Sequence, residues 1–328
     1  MFHFCTLFDS RFLTRGLALY ESLLGSGEDF QLYVFAFDDK CHEILKRLSL
    51  EKITAISLNE FEDEDLLAAK ATRSRMEYCW TCTPSVIRYA LDKFGLPTCT
   101  YIDADLYFYN SPQPLFDEMA GHSVLITEHR YTRRYDQSRK SGKYCVQFMA
   151  FRNDARARQA LEWWRAACNA WCYARHEGGK FGDQKYLDDW TERFEGVHVL
   201  EHLGGGLAPW NTQQYEFSQR NERIVGRSRF SGREFDPIFY HFHHVTLYTN
   251  GQVDLSGYRL SPDVKALFYR PYLKHLCHIA QRLSALEDSP DVRGEVPLRL
   301  DGLRARLRRL KHYALSNIVI RDKFLASQ

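Results

Sequence analysis

The stretch from Thr100 to Phe116, TYIDADLYFYNSPQPLF, places two aspartates directly behind an apolar run with the composition of a strand. Asp103 and Asp105 are separated only by the small residue Ala104. Two carboxylates this close repel each other unless a cation lies between them. Strand alternation would send both side chains to the same side, and ligands of open α/β sheets bind beyond the carboxyl ends of strands. The stretch therefore predicts a site for a hard divalent cation, Mn²⁺ or Mg²⁺, that in turn binds a diphosphate.

Strands and helices alternate along the rest of the chain. Residues 2–8 and 30–37 are apolar runs that end in aspartates, and each is followed by a segment with helical periodicity. This alternation is typical of an α/β fold with crossover helices. From Ser261 onward the pattern is mainly helical. We therefore expect a main domain of residues 1–260 and a helical C-terminal region of residues 261–328.

The same periodicity predicts several element boundaries. Residues 62–78 are expected to form one helix, and residues 81–95 a second helix with Pro84 near its start. Residues 98–109, which contain the aspartate pair, are expected to form one strand. Residues 158–177 are expected to form a long helix whose inward face carries four residues: Leu161, Trp164, Cys168 and Trp171.

The composition is that of a nearly neutral globular protein. Lys and Arg number 44 against 42 Asp and Glu, so the total charge gives no reason to expect a nucleic-acid partner. The first residues lack the features of a signal peptide, and no apolar run approaches the ~18 residues that a membrane span needs. We therefore expect a cytoplasmic protein whose nine cysteines are reduced thiols.

The segment from Cys82 to Tyr109, CTPSVIRYALDKFGLPTCTYIDADLYFY, resembles the central segment of nucleotide-sugar glycosyltransferases with the GT-A fold. The likeness is greatest to the retaining galactosyltransferase and glycogenin type, and it runs in order over most of residues 1–250. The resemblance implies a Rossmann-like mixed sheet flanked by helices. It also implies a metal-dependent enzyme that moves a hexose from a nucleotide-diphosphate donor, expected to be a UDP-sugar, to a glycan or lipid-linked glycan hydroxyl. Such reactions build polysaccharides and lipopolysaccharides.

The resemblance also assigns roles to short motifs. Phe4–Asp9 is similar to the first strand of that fold, whose end binds the nucleobase. Gly182–Leu187, GDQKYL, is similar to the D-Q-x-x-L-N element beneath the transferred sugar, which implies that Asp183 and Gln184 are catalytic. Retention of the anomeric configuration is implied as well; in an inverting enzyme, a carboxylate such as Asp183 would instead be the general base. The donor contacts implied so far come from six residues: Thr6, Phe8, Asp9, Asp103, Ala104 and Asp105.

The GT-A pattern also uses a histidine from a late strand as a third metal ligand. His202 begins HLGGGLAPW, which is similar to the family's H-x-x-G-x-x-K-P-W, but Ala208 occupies the lysine position and the segment comes too soon after Asp183. His241 lies in the apolar run PIFYHFHHV, at an interval closer to that of the family. We therefore prefer His241 over His202, and His243 stays open because it would share a strand face with His241.

The missing lysine leaves open which group neutralises the departing phosphate. Lys70 and Arg73, with Arg75 nearby, precede the Asp103 strand and are candidate donor-binding cations. The basic segment Arg130–Lys143 is another candidate. It is expected to be a lid over the donor, which would also suit an anionic acceptor, or a solvated surface loop.

The C-terminal tail predicts a basic amphipathic helix. Three interpretations stay open: peripheral contact with an anionic membrane on its inner, cytoplasmic face, packing against the protein body, or an oligomer contact. The leucines of this pattern are Leu298, Leu300, Leu303, Leu307 and Leu310. The basic residues between them are Arg299, Arg304, Arg306, Arg308, Arg309 and Lys311.

Other functions are less well supported by the sequence. A nucleotide-sugar nucleotidyltransferase would require a glycine-rich, lysine-containing phosphate loop after the first strand. The segment that follows this strand, within TLFDSRFLTRG, has a single glycine, Gly16, and no lysine. A dinucleotide-binding oxidoreductase would want G-x-G-x-x-G, which is absent. A non-catalytic sugar-nucleotide-binding module stays open, and it predicts that replacing Asp103 changes stability alone.

Overall fold

A computed structural model describes residues 1–287, 289–299 and 301–326. Leu300, one of the predicted tail leucines, lies outside the described residues. The strands are β1 Phe2–Phe8, β2 Phe30–Ala36, β3 Ile53–Ser57, β4 Thr98–Ile102, β5 Leu106–Phe108, β6 Val124–Glu128, β7 Tyr144–Arg152, β8 Val197–Val199, β9 Tyr215–Arg220, β10 Arg223–Ser228, β11 Glu234–Phe235, β12 Phe239–His241, β13 Thr246–Tyr248, β14 Gln252–Asp254, β15 Glu295–Val296 and β16 Ile318–Ile320. The helices are α1 Leu13–Gly25, α2 Asp39–Leu48, α3 Leu58–Phe61, α4 Glu64–Lys70, α5 Arg75–Lys93, α6 Gln113–Asp117, α7 Ser138–Ser141, α8 Ala155–Ala170, α9 Trp190–Arg193, α10 Pro262–Val264, α11 Arg270–Ser284, α12 Gly302–Ala314 and α13 Arg321–Ala326, with a π-helical turn at Lys265–Tyr269.

The centre of the fold is a seven-stranded mixed sheet in the order β3-β2-β1-β4-β7-β6-β8. Strands β3, β2, β1 and β4 are parallel, whereas β7 runs antiparallel to both β4 and β6. The expected mixed α/β sheet is confirmed. Strands β2 and β3 follow β1 on one side of it, and β4 lies on the other side. The strand order therefore reverses between β1 and β4. Ligands of open α/β sheets bind at such a reversal.

Helices cover both faces of this sheet. Buried residues of α1 and α11, such as Leu17 and Leu273, belong to one apolar cluster with Phe4 of β1. Buried residues of α5 and α8, such as Val86 and Trp164, form a second cluster on the other face. The two clusters hold the carboxyl ends of β1 and β4 side by side, and the register that pairs Cys5 with Tyr101 aligns them.

The segment expected to form one strand at residues 98–109 is two strands. The amide of Asp103 still donates to the carbonyl of Gln147 on β7, at 3.0 Å. The chain then leaves the main sheet through a turn, in which the amide of Leu106 donates to the carbonyl of Asp103 at 3.1 Å. β5 then pairs with β12 in a separate two-stranded ladder. The two aspartates therefore converge through a turn, and not through strand alternation.

The predicted bounds of three helices were also wrong. Residues 62–78 are broken between α4 and α5, because Ser74 and Glu77 form a reciprocal capping box that starts a new helix at Arg75. Pro84 consequently lies in the interior of α5. Helix α8 ends at Ala170, so Trp171 follows it in extended conformation, whereas the other three predicted inward residues are buried as expected.

The C-terminal region contains helices α10–α13 and two short strands as well. β15 pairs with β13 and β16 pairs with β14, so the region shares a four-stranded sheet with residues before Ser261. Its helix α11 also contributes to the cluster that contains Phe4. The division at residue 260 stays a prediction.

Candidate active site

The turn after β4 and the end of β12 bring together the residues predicted from the opening stretch. Strand β12 pairs with β5 in a register that sets His241 opposite Leu106, and the amide of Phe242 donates to the carbonyl of Asp105 at 3.0 Å. His241 therefore lies directly beside the aspartate turn. The sequence separates these residues widely, and the small β5–β12 ladder brings them into contact.

Asp103, Asp105 and His241 form a compact cluster. His241 Nε2 lies 3.1 Å from Asp105 Oδ1 and 3.7 Å from Asp103 Oδ2. One ligand atom from each of the three residues lies within 4.8 Å of the others. Tyr101 donates its hydroxyl to Asp103 Oδ1 at 3.0 Å, which fixes the second oxygen of that carboxylate toward His241.

The cluster is electrostatically coupled. Burial raises the pKa of Asp103 to about 6, and the charge of Asp105 adds to the rise while His241 opposes it. Burial also disfavours charge on Asp105, but the charge and the hydrogen bond of His241 outweigh the effect of burial. They hold the pKa of that carboxyl well below its ordinary range. Burial likewise opposes charge on His241, yet the Asp105 carboxylate raises its pKa above the ordinary value. His241 and Asp105 therefore each favour the charged form of the other.

The donor set fits a divalent metal ion. Two carboxylate oxygens and one imidazole nitrogen suit Mn²⁺, and three protein ligands leave positions for diphosphate oxygens. The remaining ring nitrogen of His241, Nδ1, lies 2.7 Å from Gln147 Oε1. An amide oxygen accepts only, so Nδ1 carries the proton and Nε2 can offer its lone pair to the ion.

Gln147 is a residue that the sequence analysis missed. It is fully buried on β7, and its backbone carbonyl accepts from Asp103 while its side chain accepts from His241. A signal was present, because Gln147 is a polar residue inside the apolar run YCVQFMAF. Gln147 thus positions two of the three cluster residues.

The other two candidate histidines lie outside the three-residue cluster. His202 accepts the amide of Gly204 on Nδ1 at 3.1 Å, and its carbonyl accepts from Arg130. His243 packs edge-to-face on Trp210, with ring centroids 5.3 Å apart, and burial lowers its pKa well below the ordinary value.

Asp183 and Gln184 lie at the start of a 3₁₀ segment after α8. Trp164 Nε1 donates to the Asp183 carbonyl at 3.0 Å, and the Asp183 side chain is buried. Burial, followed by the charge of Asp103, raises the pKa of Asp183 to about 7. Asp183 is therefore within electrostatic range of the cluster. The side chain of Gln184 donates to the carbonyl of Ser141 at 2.6 Å, in the basic segment.

A cavity of about 440 Å³ lies beyond the ends of β2 and β3 and contains Lys70 and Arg73 in its lining. Lys70 Nζ lies 2.6 Å from Glu62 Oε1. Arg73 donates to the Tyr173 hydroxyl and to the Asn169 carbonyl. Both predicted cations thus line a cavity, and both have partners within the protein.

The end of β1 presents Asp9 to the same rim. Arg75 Nε lies 2.6 Å from Asp9, and its terminal nitrogen lies 2.8 Å from Asp38, which follows β2. Thr6 and Phe8 are buried, and Phe8 packs so closely on α1 that a methyl group on Gly16 would overlap its ring. Ala104 is also buried, between the two cluster carboxylates in sequence. The donor roles of these residues stay predictions.

Comparison with known proteins places the chain among relatives of similar length. YfnD of Bacillus subtilis (strain 168), an uncharacterized protein, is 31% identical over 281 residues, which cover 84% of this chain and 88% of YfnD. The chain belongs to the same family as YfnD. The uncharacterized protein YfnF of the same organism is 30% identical over 292 residues, covering 87% of this chain and 94% of YfnF. No protein-family model matches the sequence.

Among solved structures, the family's fold is matched by a galactosyltransferase. The crystal structure of LgtC in complex with donor and acceptor sugar analogs aligns with a TM-score of 0.53 and 10% identity, over 83% of this chain and 94% of LgtC. The predicted GT-A fold, like that of nucleotide-sugar glycosyltransferases, is confirmed.

Proposed function

We propose that this protein is a metal-dependent glycosyltransferase. It transfers a hexose from a nucleotide-diphosphate donor, a UDP-sugar in the first instance, to a hydroxyl of a glycan or lipid-linked glycan, with retention. The proposal rests on one observation: Asp103, Asp105 and His241 converge at the end of β4, beside the strand-order reversal of a GT-A sheet.

Asp103, Asp105 and His241 would hold Mn²⁺ or Mg²⁺. When bound, the ion supplies positive charge to the diphosphate that leaves with the nucleoside. The residues of the cluster then need only to hold fixed positions, and the hydrogen bonds from Tyr101 and to Gln147 serve this purpose. Pre-positioned charges of this kind cost little reorganisation during the reaction.

The nucleoside would occupy the cavity of about 440 Å³. Tyr78 contributes an aromatic ring to its lining, and Asp38 contributes a carboxylate that can accept from a base or a ribose hydroxyl. Lys70 and Arg73 line the same cavity and would exchange their present partners for phosphate oxygens. Asp9 is held at the rim by Arg75.

Asp183 would face the transferred sugar. A buried carboxyl with a pKa of about 7 is readily protonated or charged near neutral pH, so it can donate to or accept from a sugar hydroxyl and stabilise positive charge at the anomeric carbon. Gln184 lies next to it and is fixed by Ser141. Retention then requires the acceptor oxygen to approach on the face that the diphosphate leaves, with its proton passing to that phosphate.

The acceptor would bind at the half-buried Tyr258 and Tyr135, which are linked to His241 through the buried Trp210. The ring centroid of Trp210 lies 5.4 Å from that of His241 and 6.2 Å from that of Tyr258. The ring centroids of Tyr258 and Tyr135 are 5.0 Å apart. Tyr135 belongs to the basic segment, whose Arg134 is exposed. Aromatic faces suit sugar rings, and exposed cations suit an anionic acceptor.

A thermal-shift screen tests the proposal. The melting temperature is measured with UDP, GDP, dTDP and CMP, each with Mn²⁺ or with EDTA. We expect one nucleoside diphosphate, UDP, to raise the melting temperature only when Mn²⁺ is present, because nucleotide and ion share the site. Equal melting temperatures in all conditions would contradict the proposal. A second measurement separates retention from inversion: the product is made with the matching sugar nucleotide, and its anomeric configuration is determined by NMR.

Replacing Gln147 with Leu is expected to weaken Mn²⁺ binding about 10–100-fold, because Nδ1 of His241 loses its acceptor and the ring loses its fixed tautomer. Titration of the protein with Mn²⁺, followed by calorimetry, measures this without any assay of transfer. Gln147→Glu keeps an acceptor for Nδ1 and is expected to bind within about threefold of wild type. Equal Mn²⁺ affinity in Gln147→Leu and wild type would show that Gln147 does not position His241.

A further inference from the structure

Helix α12 turns its leucines away from the protein. Leu303, Leu307 and Leu310 are 72%, 55% and 63% exposed. They are spaced by four and three residues, so they form one continuous stripe along the helix. An exposed apolar stripe of three leucines is uncommon on a soluble surface and marks an interaction site.

The opposite, polar side of α12 packs on the protein body. His312 Nδ1 lies 2.7 Å from Asp254 Oδ2, and Arg309 lies over the ring of Tyr248 at 5.3 Å. A helix of a globular protein normally buries its apolar side and exposes its polar side. Helix α12 does the reverse.

The orientation of α12 is fixed by the chain that follows it. β16 pairs with β14, with Val319 opposite Val253. Asn317 is fully buried and donates its side-chain amide to the carbonyls of Ser256 and Tyr258, at 2.7 and 2.6 Å. The helix therefore cannot rotate to bury its leucines without breaking these contacts.

Cations flank the leucine stripe on both sides. With 3.6 residues per turn, Arg304 and Lys311 lie roughly 70–90° to one side of its centre, and Arg306 lies about 70° to the other. Long cationic side chains beside an apolar stripe are the arrangement of helices that lie in a lipid interface, where the aliphatic stems contact lipid and the charged ends reach phosphate. The same cations would repel one another in a symmetric pair of these stripes.

We propose that α12 docks on an anionic membrane surface, with its leucine stripe at the boundary between headgroups and acyl chains and its cations on lipid phosphates. Among the described residues, no helix combines the length and the apolar character needed to cross a bilayer, so this contact would be peripheral. His312 of α12 bonds to Asp254 of β14, and β14 pairs with β13, which begins five residues after His241. Docking would therefore bring this part of the protein near the lipid surface, which, if the proposed function holds, suits a lipid-linked acceptor.

Flotation of the full chain with lipid vesicles tests this docking. We expect binding to phosphatidylcholine vesicles that contain about one third phosphatidylglycerol, weak binding to phosphatidylcholine alone, and release as salt is raised. The triple variant Leu303→Ser, Leu307→Ser, Leu310→Ser is expected to lose at least about tenfold in the lipid partition coefficient. Its melting temperature is expected to stay at or above that of wild type, because the leucines are exposed.

The matched control is Leu24→Ser with Leu67→Ser, which removes exposed leucines of α1 and α4 and is expected to bind vesicles like wild type. The docking proposal is overturned if wild type does not float with anionic vesicles, or if the triple variant floats equally well. It is also overturned if the triple variant differs from wild type only in dimerisation during sedimentation, since a second copy would then cover the stripe. The thermal shift with UDP and Mn²⁺ is measured without lipid, so failure of docking is distinct from failure of the proposed function.

Discussion

Replacing Asp105 with Asn is expected to abolish sugar transfer and the Mn²⁺-dependent rise in melting temperature with UDP. Asn has nearly the same size as Asp, so the turn after β4 is retained, but the charge that pairs with His241 is lost. The loss of a ligand charge removes several kcal/mol of charge stabilisation from the departing diphosphate. We therefore expect transfer to fall by about 10³-fold or more.

The chain provides a control of the same sequence pattern. Asp63-Glu64-Asp65 lies in a charged stretch whose pattern is typical of a solvated helical face. In the structure Asp63 caps α4, and the Asp63 and Asp65 side chains pair with Arg165. Asp65→Asn removes a carboxylate of a D-x-D pattern outside the three-residue cluster and is expected to keep both transfer and the thermal shift. If Asp105→Asn kept the Mn²⁺-dependent shift, the cluster would not be the metal site.

Replacing Asp183 with Asn is expected to abolish transfer while making the protein more stable at alkaline pH. The pKa of Asp183 is about 7 in the folded protein, against an ordinary value of 3.8. Between these values the folded state holds a proton that the unfolded state has released, so stability falls as pH rises from about 4 to about 7. Above pH 7 the full cost of burying the charged carboxylate is present, up to about 4 kcal/mol.

The neutral amide of the Asp183→Asn variant would never carry that charge. Chemical denaturation of wild type and Asp183→Asn, at pH 5 and at pH 8, measures the effect, and we expect the variant to gain more stability relative to wild type at pH 8 than at pH 5. Asp189→Asn is the control, because the Asp189 side chain is 46% exposed and pairs with Arg193. A variant that is inactive and equally destabilised at both pH values would indicate a purely structural role for Asp183.

The sequence was sufficient for the parts of the fold that depend on local patterns. Apolar runs and helical periodicity identified the strands and helices of the main sheet, and the context of Asp103 and Asp105 distinguished them from Asp63 and Asp65. The preference for His241 over His202 rested on spacing along the chain. The structure places only His241 with the two aspartates among the residues it describes, although its role as a ligand stays a prediction.

The sequence was insufficient where a distant contact decides the local structure. The strand at residues 98–109 breaks because Leu106–Phe108 pair with β12 and because the amide of Phe242 donates to the carbonyl of Asp105. Neither contact leaves a trace in the periodicity of the segment itself. The sequence marks Gln147 as a polar residue in an apolar run, but it does not show the contact with His241, which lies 94 residues away along the chain.

The basic segment shows a similar limit. Sequence alone groups Arg130 with the other cations of a lid or surface loop. In the structure Arg130 has φ of +49°, and its guanidinium donates to the carbonyls of Leu200, His202 and Gly205. Arg130 therefore anchors the glycine-rich turn, while the exposed cations begin three residues later.

The short ladder between β5 and β12 has a consequence for biosynthesis. A nascent chain that has emerged through α8 already contains both aspartates and much of the central sheet, but it lacks the imidazole that lies between them. His241 arrives late, on a strand that reaches its place only by pairing with Leu106–Phe108. Translation thus completes the cluster of Asp103, Asp105 and His241 only after most of the central sheet exists, and under the proposed function metal binding follows that step.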